Sequence, residues 1–557
     1  MKKRARIIQL FINLAFLILI GYLFYNQVFD FDNYKQRGVA IRTTENITFR
    51  GDIKDRKGVV LATDQTTYEV YAHPDLYSKK YTPEILADAL SEDLGMNKNE
   101  LIKKLKSKKR NIITVKKNVS RSSAEKVRKH GFRAISVGTI KQRFYPQGNI
   151  ASHIVGYYSY LSQNSMGIEN IANDELESGK SVSKVQRKAN GDIIFDIKTN
   201  IKDITTKQKG KDIVLTIDSA VQYICERELA KTIKDTKAER GVVIVTDVTN
   251  GEILAYASYP TFNPNSYWKS SAESMKNWSL TDVYPPGSTF KIITVASALD
   301  LKVLNENSKV LDTGKMKLSK HDEIKNNDIK THPYPGWISL DYLFEHSSNV
   351  GSANIALMMD RNAYYSKLRE FGFGQKTGID LTAESNGLLP KPQIWYRSRH
   401  ASMGFGYGAS VTAIQMISAI SAIANNGVWI TPHVIKYSPE ELEQHVTKRR
   451  VISEETAKSV TRLLAKSISN GKTPLNLEKY TNCAKTGTSN KNFKKGGNLV
   501  YASAIGYFPS NSPKIAIYVV IDSPKTGVDY GGTIASPLFR KLATDIGTLL
   551  NIPTDKK

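Results

Sequence analysis

The sequence is poor in cysteine, in clustered histidine and in acidic residues. Its 557 residues include two cysteines, Cys225 and Cys483, too few for a disulfide-rich scaffold or a four-thiolate zinc site. The nine histidines form no HExxH motif, which argues against a metal enzyme, and no cofactor is expected. There are 53 Asp and Glu residues but 79 Lys and Arg residues, which gives a formal net charge of +26. This excess of positive charge leaves three candidate binding partners: nucleic acid, an anionic membrane or an acidic wall polymer.

One long apolar run lies near the N-terminus. Residues 7–29 carry no charge and, as a helix, are about 34 Å long, enough to cross a hydrocarbon core of about 30 Å. The run follows Lys2, Lys3, Arg4 and Arg6 and lacks a small-residue cleavage pattern. It therefore predicts an uncleaved transmembrane signal-anchor, with residues 1–6 in the cytoplasm and the remainder outside the cell membrane. This topology removes nucleic acid as the natural partner.

Residues 30–210 are predicted to form a β-rich module next to the membrane. Val59 to Tyr71 has strand-like alternation, and Pro83 to Leu105 has helical spacing of its leucines. Between Leu101 and Pro146 there are fifteen Lys or Arg residues and one acid, Glu125. This basic lobe is either a solvated face or a docking surface for anionic lipid or an acidic partner.

Residues 211–557 are predicted to form one α/β (α+β) domain. Asn250-Gly251 lies between two β-rich segments and indicates a hairpin. Further strands are expected near the C-terminal end, with helices in between. The two ends of the domain would then close one antiparallel sheet flanked by helices. The predicted strands are 241–248, 252–257, 501–506 and 515–521, and the predicted helices include 221–233, 292–299 and 412–424.

A Ser-x-x-Lys pattern occurs five times, and its context singles out Ser288 and Lys291. Pro286 and Gly287 precede this serine and an apolar run follows, so Ser288 is expected in the first turn of a helix with Lys291 on the same face. A serine hydroxyl needs a base before it attacks, and an amine serves if it is neutral. Burial and a second cation would lower the lysine pKa enough.

Two later motifs supply the partners that this chemistry needs. Lys-Thr-Gly occurs at Lys376, Lys485 and Lys525, and Lys485 alone follows a plausible strand entry. Lys485, Thr486 and Thr488 would hold a substrate carboxylate. The segment Ser347-Ser348-Asn349 could supply an intermediate proton carrier. The Asn349 side chain could form a hydrogen bond with a substrate amide.

Ser288-Thr-Phe-Lys291, Ser347-Ser-Asn349 and Lys485-Thr-Gly487-Thr488, in this order, resemble the penicilloyl-serine transferase superfamily. The rest of the chain resembles class B penicillin-binding proteins more specifically. The segments that carry this likeness include 50–62, 143–146, 151–156, 167–169, 371–380, 404–408 and 531–539. The resemblance implies an elongated membrane-proximal pedestal, of the dimerisation type, at 30–210, and a transpeptidase domain at 211–557.

The resemblance also implies a peptidoglycan D,D-transpeptidase. Ser288 would attack the D-Ala-D-Ala end of a stem peptide, with Lys291 as base and Ser347 as proton relay. Asn349 would bond the substrate, and Lys485, Thr486, Gly487 and Thr488 would position its carboxylate. Backbone N–H groups of Ser288 and Thr488 would form the oxyanion hole, worth about 3 kcal/mol for each donor. β-Lactams would acylate Ser288.

Implied partners are peptidoglycan stem peptides, a SEDS-type glycosyltransferase and other divisome or elongasome membrane proteins. The module size favours a division role over an elongation role. Two other readings stay open: a β-lactam-hydrolysing or β-lactam-sensing enzyme, and a catalytically silent division scaffold. Cys483 is expected to be a packing residue, and the charged segment from Arg50 to Arg56 a salt-bridge and turn element.

Overall fold

The computed structural model describes residues 2–25, 41–45, 49–107, 112–177, 182–186, 209–320, 322–331, 334, 336–470, 473–491 and 499–556. Residues 26–29 of the predicted membrane span, and residues 187–208 of the predicted pedestal, lie outside these ranges. The described chain forms two compact units. The first comprises residues 1–51 and 174–211, and the second comprises residues 52–173 and 212–557.

The elements of the described residues are numbered in chain order. The helices are α1 Lys2–Phe24, α2 Pro83–Leu94, α3 Lys98–Leu105, α4 Arg121–Lys129, α5 Ser152–Val155, α6 Ile168–Ile171, α7 Asn173–Leu176, α8 Ser219–Thr236, α9 Ala272–Met275, α10 Trp278–Thr281, α11 Lys291–Asp300, α12 Leu340–Glu345, α13 Asn349–Met358, α14 Arg361–Glu370, α15 Arg397–Met403, α16 Ala413–Ala424, α17 Pro439–His445, α18 Glu454–Asn470 and α19 Gly531–Leu549. Short 3₁₀ helices span Pro74–Leu76, Pro264–Lys269, Gly287–Phe290 and Pro392–Ile394.

The strands are β1 Ile41–Glu45, β2 Ile53–Lys54, β3 Val60–Ala72, β4 Ile113–Val119, β5 Ile135–Phe144, β6 Tyr157–Tyr158, β7 Ser165–Met166, β8 Val182–Gln186, β9 Ile213–Val214, β10 Arg240–Asp247, β11 Ile253–Tyr259, β12 Lys309–Asp312, β13 Lys315–Lys317, β14 Glu323–Lys325, β15 Gly336–Ser339, β16 Val428–Ile430, β17 Lys448–Arg450, β18 Cys483–Asn490, β19 Val500–Phe508 and β20 Ile515–Asp522.

The first unit contains helix α1 and an antiparallel pair of strands. Strand β1 pairs with β8, with Ile41 opposite Gln186. The Arg50 guanidinium is buried and bonds Glu177 at 3.1 Å, so this charge is paired where it leaves water. Over the described ranges, no helix combines the length and the hydropathy that a bilayer crossing requires.

In the second unit, residues 52–173 build a small sheet covered by three helices. The long strand β3 pairs antiparallel with both β4 and β5, and α2, α3 and α4 close a core that includes Leu86, Leu101 and Val127. The single helix predicted from Pro83 to Leu105 is wrong, because Gly95 adopts a left-handed conformation that ends α2. The Asn97 side chain then caps α3.

The charged segment that begins at Asp52 is a turn stapled to its surroundings. Asp55 accepts the backbone N–H groups of Lys57 and Val59, both at 2.8 Å, and that of Ser219 at 3.1 Å. Lys57 also pairs with Asp218 at 2.8 Å. These contacts are the salt-bridge and turn element that the sequence predicts, and they tie residues 52–59 to the start of α8.

The basic lobe is exposed over most of its described part, as both a solvated face and a docking surface would be. Nine of its twelve described Lys and Arg residues are exposed: Lys103, Lys104, Lys106, Lys117, Arg121, Lys126, Arg128, Lys129 and Arg133. The exception with the deepest burial is Arg143, which bonds Glu169 at 2.6 Å and Asp64 at 3.3 Å. This pairing holds the Arg143 charge inside the module.

Residues 212–557 of the second unit are built on a five-stranded antiparallel sheet in the order β11-β10-β20-β19-β18. The predicted hairpin at Asn250-Gly251 joins β10 to β11. Helices α8 and α19 cover one face of the sheet, and α16 contacts the other. The sheet is therefore built by both ends of the domain, as predicted, and β18 is its edge strand.

Candidate active site

Ser288 lies in a 3₁₀ turn that runs directly into helix α11. The turn spans Gly287–Phe290 and α11 begins at Lys291. Residues 291–299 of α11 are all buried, which fits an apolar helix that packs on every side. Ser288 itself stays half-buried at the entry to this helix, whereas the residues that follow it are buried.

Lys291 is fully buried and is surrounded by acceptors. Its Nζ donates to the backbone oxygen of Ser347, to Ser347 Oγ at 3.2 Å and to Asn349 Oδ1 at 2.8 Å. Within the described part of the chain, no hydrogen bond joins Nζ to Ser288. Burial and the neighbouring Lys485 ammonium hold the pKa of Lys291 well below its usual range, whereas Asp312 and Asp328 act in the opposite sense. The amine thus has the environment of a base.

The Ser-Ser-Asn segment joins α12 to α13. Ser347 has a left-handed backbone with φ of 53°, which turns its carbonyl and hydroxyl toward Lys291. Ser348 caps α13 by accepting the Gly351 N–H at 2.8 Å. The predicted proton carrier and the predicted base are therefore in direct contact.

Lys485 lies on edge strand β18. Because side chains alternate along a strand, Lys485, Gly487 and Ser489 share one face, and Thr486 and Thr488 share the other. Ser489 Oγ donates to the Pro285 oxygen at 2.6 Å, so the Lys485 face is the one turned to the Ser288 turn. Burial lowers the pKa of Lys485 to about 8. The sequence grouped this lysine with the two threonines, and the pleat places it on the opposite face.

Close backbone approach joins the Ser288 turn to β18. Gly287 has φ of +59°, and a Cβ there would lie 2.9 Å from the Thr488 oxygen. The Gly404–Gly408 segment packs behind the turn, where a Cβ on Gly406 would lie 2.3 Å from the Gly287 oxygen. Tyr407 also donates its hydroxyl to the Thr488 oxygen at 3.4 Å. Glycine is required at these positions because a side chain would push the nucleophile away from the strand.

We expect Gly287→Ala to lower the free energy of unfolding by about 2–4 kcal/mol, because strain and a clash add at one position. The rate of acylation by penicillin should fall at least tenfold, since the turn must move away from β18. Gly131→Ala is the matched control: Gly131 has φ of +64°, and a Cβ added there would have no neighbouring atom within 4 Å. For this control, thermal denaturation should show a loss of about 1 kcal/mol in the free energy of unfolding. Labelled-penicillin kinetics should show an unchanged acylation rate. Equal kinetic losses in both variants would contradict the assignment.

Asp312 and Asn326 support the Ser347–Asn349 segment, and the sequence did not point to either residue. Ser348 donates its hydroxyl to the buried Asp312 carboxylate. Asn326 donates to both oxygens of Asp312 at 2.9 Å. Asp312 is the last residue of β12, and Asn326 directly follows β14. Neither segment carries a motif, so nothing in the spacing could have found these two residues.

The other sequence candidates are not at this site. Thr377, in the Lys376 motif, bonds Glu384 through its N–H and its hydroxyl, at 2.6 and 2.7 Å. Lys525 pairs with Glu239 at 3.7 Å. Burial raises the pKa of the Cys483 thiol to about 12, so this cysteine is an inert packing residue. No group of His, Cys, Asp or Glu side chains in the described ranges has the arrangement of a metal site.

Known proteins match both halves of the chain. The model of the penicillin binding protein transpeptidase domain matches residues 241–544, and that of the penicillin-binding protein dimerisation domain matches residues 48–215. Penicillin Binding Protein 2X from Streptococcus thermophilus has a TM-score of 0.72 and 23% identity, over 92% of this chain and 81% of that structure, so the two share a fold.

Two curated relatives are similar over most of their length. Stage V sporulation protein D of Bacillus subtilis is 31% identical over 517 residues, which are 89% of this chain and 77% of the relative. Peptidoglycan D,D-transpeptidase FtsI of Escherichia coli K12 is 30% identical over 553 residues, 97% of this chain and 91% of the relative. With a buried lysine beside the serine turn, and both domains matched in the same order, the chain belongs to the class B penicillin-binding proteins.

Proposed function

We propose that the protein is a peptidoglycan D,D-transpeptidase that works through an acyl-enzyme on Ser288. The single observation that carries the mechanism is the buried Lys291 amine, bonded to Ser347 and Asn349 at the start of the helix that follows Ser288. Ser288 attacks the penultimate D-alanine carbonyl of a stem peptide, and the terminal D-alanine leaves. An amine on a neighbouring stem then takes the acyl group and frees the serine.

Lys291 is the base that accepts the Ser288 proton. A free lysine is almost entirely protonated at neutral pH, so a base needs a lowered pKa. Burial and the Lys485 charge supply this, in that order of size. Because Ser347 contacts Nζ at 3.2 Å, its hydroxyl relays the proton toward the leaving amine. Asn349 Oδ1 accepts from the same amine at 2.8 Å, and Nδ2 donates one N–H to the Lys325 oxygen at 2.9 Å. The second N–H of Nδ2 is the group that meets the substrate.

The substrate carboxylate lies along edge strand β18. Thr486 and Thr488 share a half-buried face and offer two hydroxyls, with the Gly487 backbone between them. Lys485 contributes its positive charge from the opposite face, beside the reacting serine. Backbone N–H groups of Ser288 and Thr488 form the oxyanion hole, on the two segments that approach most closely at Gly287. A β-lactam occupies the same place as D-Ala-D-Ala.

The pH dependence of acylation should be bell-shaped. Acylation needs neutral Lys291, so its rate rises as pH increases through the lowered pKa of this residue. It also needs charged Lys485, so the rate falls above about pH 8. Rate constants for acylation by labelled penicillin between pH 5 and 10 measure both limbs.

Lys485 variants identify the alkaline limb. Lys485→Arg stays charged and should remove that limb below pH 10. Lys485→Ala should slow acylation far more than it lowers thermal stability, and should move the acid limb to higher pH because a like charge is lost. The exposed Lys376→Ala is the control with no expected change. An unchanged alkaline limb in Lys485→Arg would rule out this assignment.

The lifetime of the penicilloyl-enzyme separates the transpeptidase from a β-lactam-hydrolysing enzyme with the same serine and lysine. Since no additional base for a deacylating water stands out in the sequence, we expect the adduct to persist for many minutes. Release of labelled penicilloate within seconds would favour hydrolysis instead. A sensing enzyme would hold the adduct but fail to join a D-Ala-D-Ala peptide to an amine acceptor.

We place the protein in the cell membrane, with a cytoplasmic N-terminus and the pedestal and transpeptidase domain outside. The proposed division is 1–6 tail, 7–29 anchor, 30–210 pedestal and 211–557 catalytic domain. The large apolar side chains between Leu10 and Tyr25 are exposed on α1, which suits a lipid or helix environment. A SEDS-type glycosyltransferase and other division proteins are the partners that this arrangement favours. A transmembrane anchor should keep the full chain in the membrane until detergent is added. Release of the chain from membranes by an alkaline wash alone would contradict the anchor.

A further inference from the structure

A buried carboxylate that has no salt-bridge partner among the described residues lies behind the active site. Asp312, at the end of β12, is fully buried, and its described hydrogen bonds come from neutral donors. Gly314 N–H donates at 2.7 Å, Asn326 Nδ2 donates to both oxygens at 2.9 Å, and Ser348 donates its hydroxyl. A buried carboxylate is costly to desolvate, and these donors offset that cost. We therefore ask what the buried charge does at this place.

Asn326 carries the same support to the start of α13. Its Oδ1 accepts the backbone N–H of Asn349 at 2.7 Å and that of Val350 at 3.0 Å. Its Nδ2 is occupied by Asp312, so the amide has one orientation in which every bond is made. Asn326 thus caps α13 with a side chain from a different ribbon.

The two residues clamp the segment that holds the base. Ser348 is bonded to Asp312 and the Asn349 backbone is bonded to Asn326. The neighbouring groups, the Ser347 carbonyl and hydroxyl and Asn349 Oδ1, are the acceptors of Lys291 Nζ. A movement of this segment would therefore withdraw the acceptors of the base together.

We propose that Asp312 and Asn326 are positioning residues for acylation, which hold Ser347 and Asn349 where they orient the Lys291 amine. This inference rests on the proposed function, because it assigns the support of the same base. Both side chains are buried and bond the Ser347–Asn349 segment, so they position the groups around the base from behind.

Asp312 has a second, electrostatic effect that Asn326 lacks. Its negative charge favours protonated Lys291, as does that of Asp328, while burial and Lys485 oppose protonation. Asp328 has no described bond to the Ser347–Asn349 segment and accepts the Tyr334 hydroxyl instead. The groups that border the two carboxylates are Tyr334, Tyr342 and His346. Position and charge can therefore be separated by substitution.

The test is the pH profile of acylation by labelled penicillin in the full chain, with thermal denaturation in parallel. Asp312→Asn should lower the plateau rate about 10- to 100-fold and move the acid limb about one pH unit lower. Asn326→Ala should lower the plateau about tenfold and leave the limb in place. Asp328→Asn should move the limb lower and keep the plateau within about twofold. His346→Gln is the control and should leave both the plateau and the acid limb in place.

A wild-type plateau and limb in Asp312→Asn, with only a lower melting temperature, would overturn the inference. So would an Asn326→Ala variant that keeps the wild-type plateau, which also decides the case if Asp312→Asn does not fold. Failure of the proposed function looks different. The wild-type chain would then take up no penicillin at any pH, release penicilloate within seconds, or fail to join a D-Ala-D-Ala peptide to an amine acceptor.

Discussion

Replacing Ser288 by alanine should abolish the covalent penicillin adduct and peptide cross-linking while the protein stays folded. The variant has no nucleophile, so the acyl-enzyme cannot form, and we expect a loss of at least about a thousandfold. The Ser288 side chain makes no hydrogen bond in the described part of the chain and is half-buried, so stability should change by less than about 0.5 kcal/mol. Labelled-penicillin binding, cross-linking assays and thermal denaturation measure the three quantities.

Ser123→Ala is the matched control for this experiment. Ser123 and Lys126 have the same Ser-x-x-Lys spacing but lie on α4, within the region that the dimerisation-domain model matches. There the Ser123 N–H donates to the Ser120 hydroxyl, which caps α4. The control should keep the full penicillin adduct. If cells that lack a redundant enzyme kept their wall cross-links with Ser288→Ala, the protein would be a division scaffold and not the enzyme.

Replacing Lys291 by methionine should slow acylation by a factor of about 10² to 10⁴, the usual contribution of a general base. Methionine keeps the volume of the buried side chain, so the α11 packing should survive. The substitution removes a buried amine, which is costly to desolvate, but leaves the Ser347 oxygen and Asn349 Oδ1 without a donor. Because these effects oppose each other, stability should change by no more than about 2 kcal/mol.

Lys126→Met, at the corresponding position of the Ser123 pattern, is the control for the lysine. Lys126 is exposed and its nearest carboxylate, on Asp93, is 3.9 Å away, so neither the acylation rate nor the stability should move appreciably. A Lys291→Met variant that acylates at the wild-type rate would show that another group accepts the proton of Ser288.

The sequence predicted the parts of the fold that local chemistry determines. The Asn250-Gly251 hairpin, strands β10, β11, β19 and β20, and helix α16 follow from turn residues and apolar periodicity. The break at Gly95 was missed because the leucine spacing continues through it. The spacing of apolar residues does not reveal that one residue between them has a left-handed backbone conformation.

The site was predictable where its residues share a motif and not where tertiary contact creates the role. Ser288, Lys291 and Ser347 were identified from their order in the chain. Asp312 and Asn326 act through ribbons that meet α13 only in the folded protein. The separation of Lys485 from its two threonines follows from the pleat of β18, which a tripeptide motif does not express.

The position of the excess charge also became specific. Most of the described basic side chains between Leu101 and Pro146 are exposed on the pedestal, whereas the site depends on two buried lysines. This part of the excess positive charge thus lies on the surface, separate from the two lysines of the proposed site.

The most direct test of the account is intact-protein mass spectrometry after treatment with penicillin, followed by peptide mapping. Opening of the β-lactam ring by the Ser288 hydroxyl retains every atom of the drug, so the account predicts one adduct of the full penicillin mass on the peptide that contains Ser288. An unmodified protein, or an adduct on a peptide without Ser288, would contradict it.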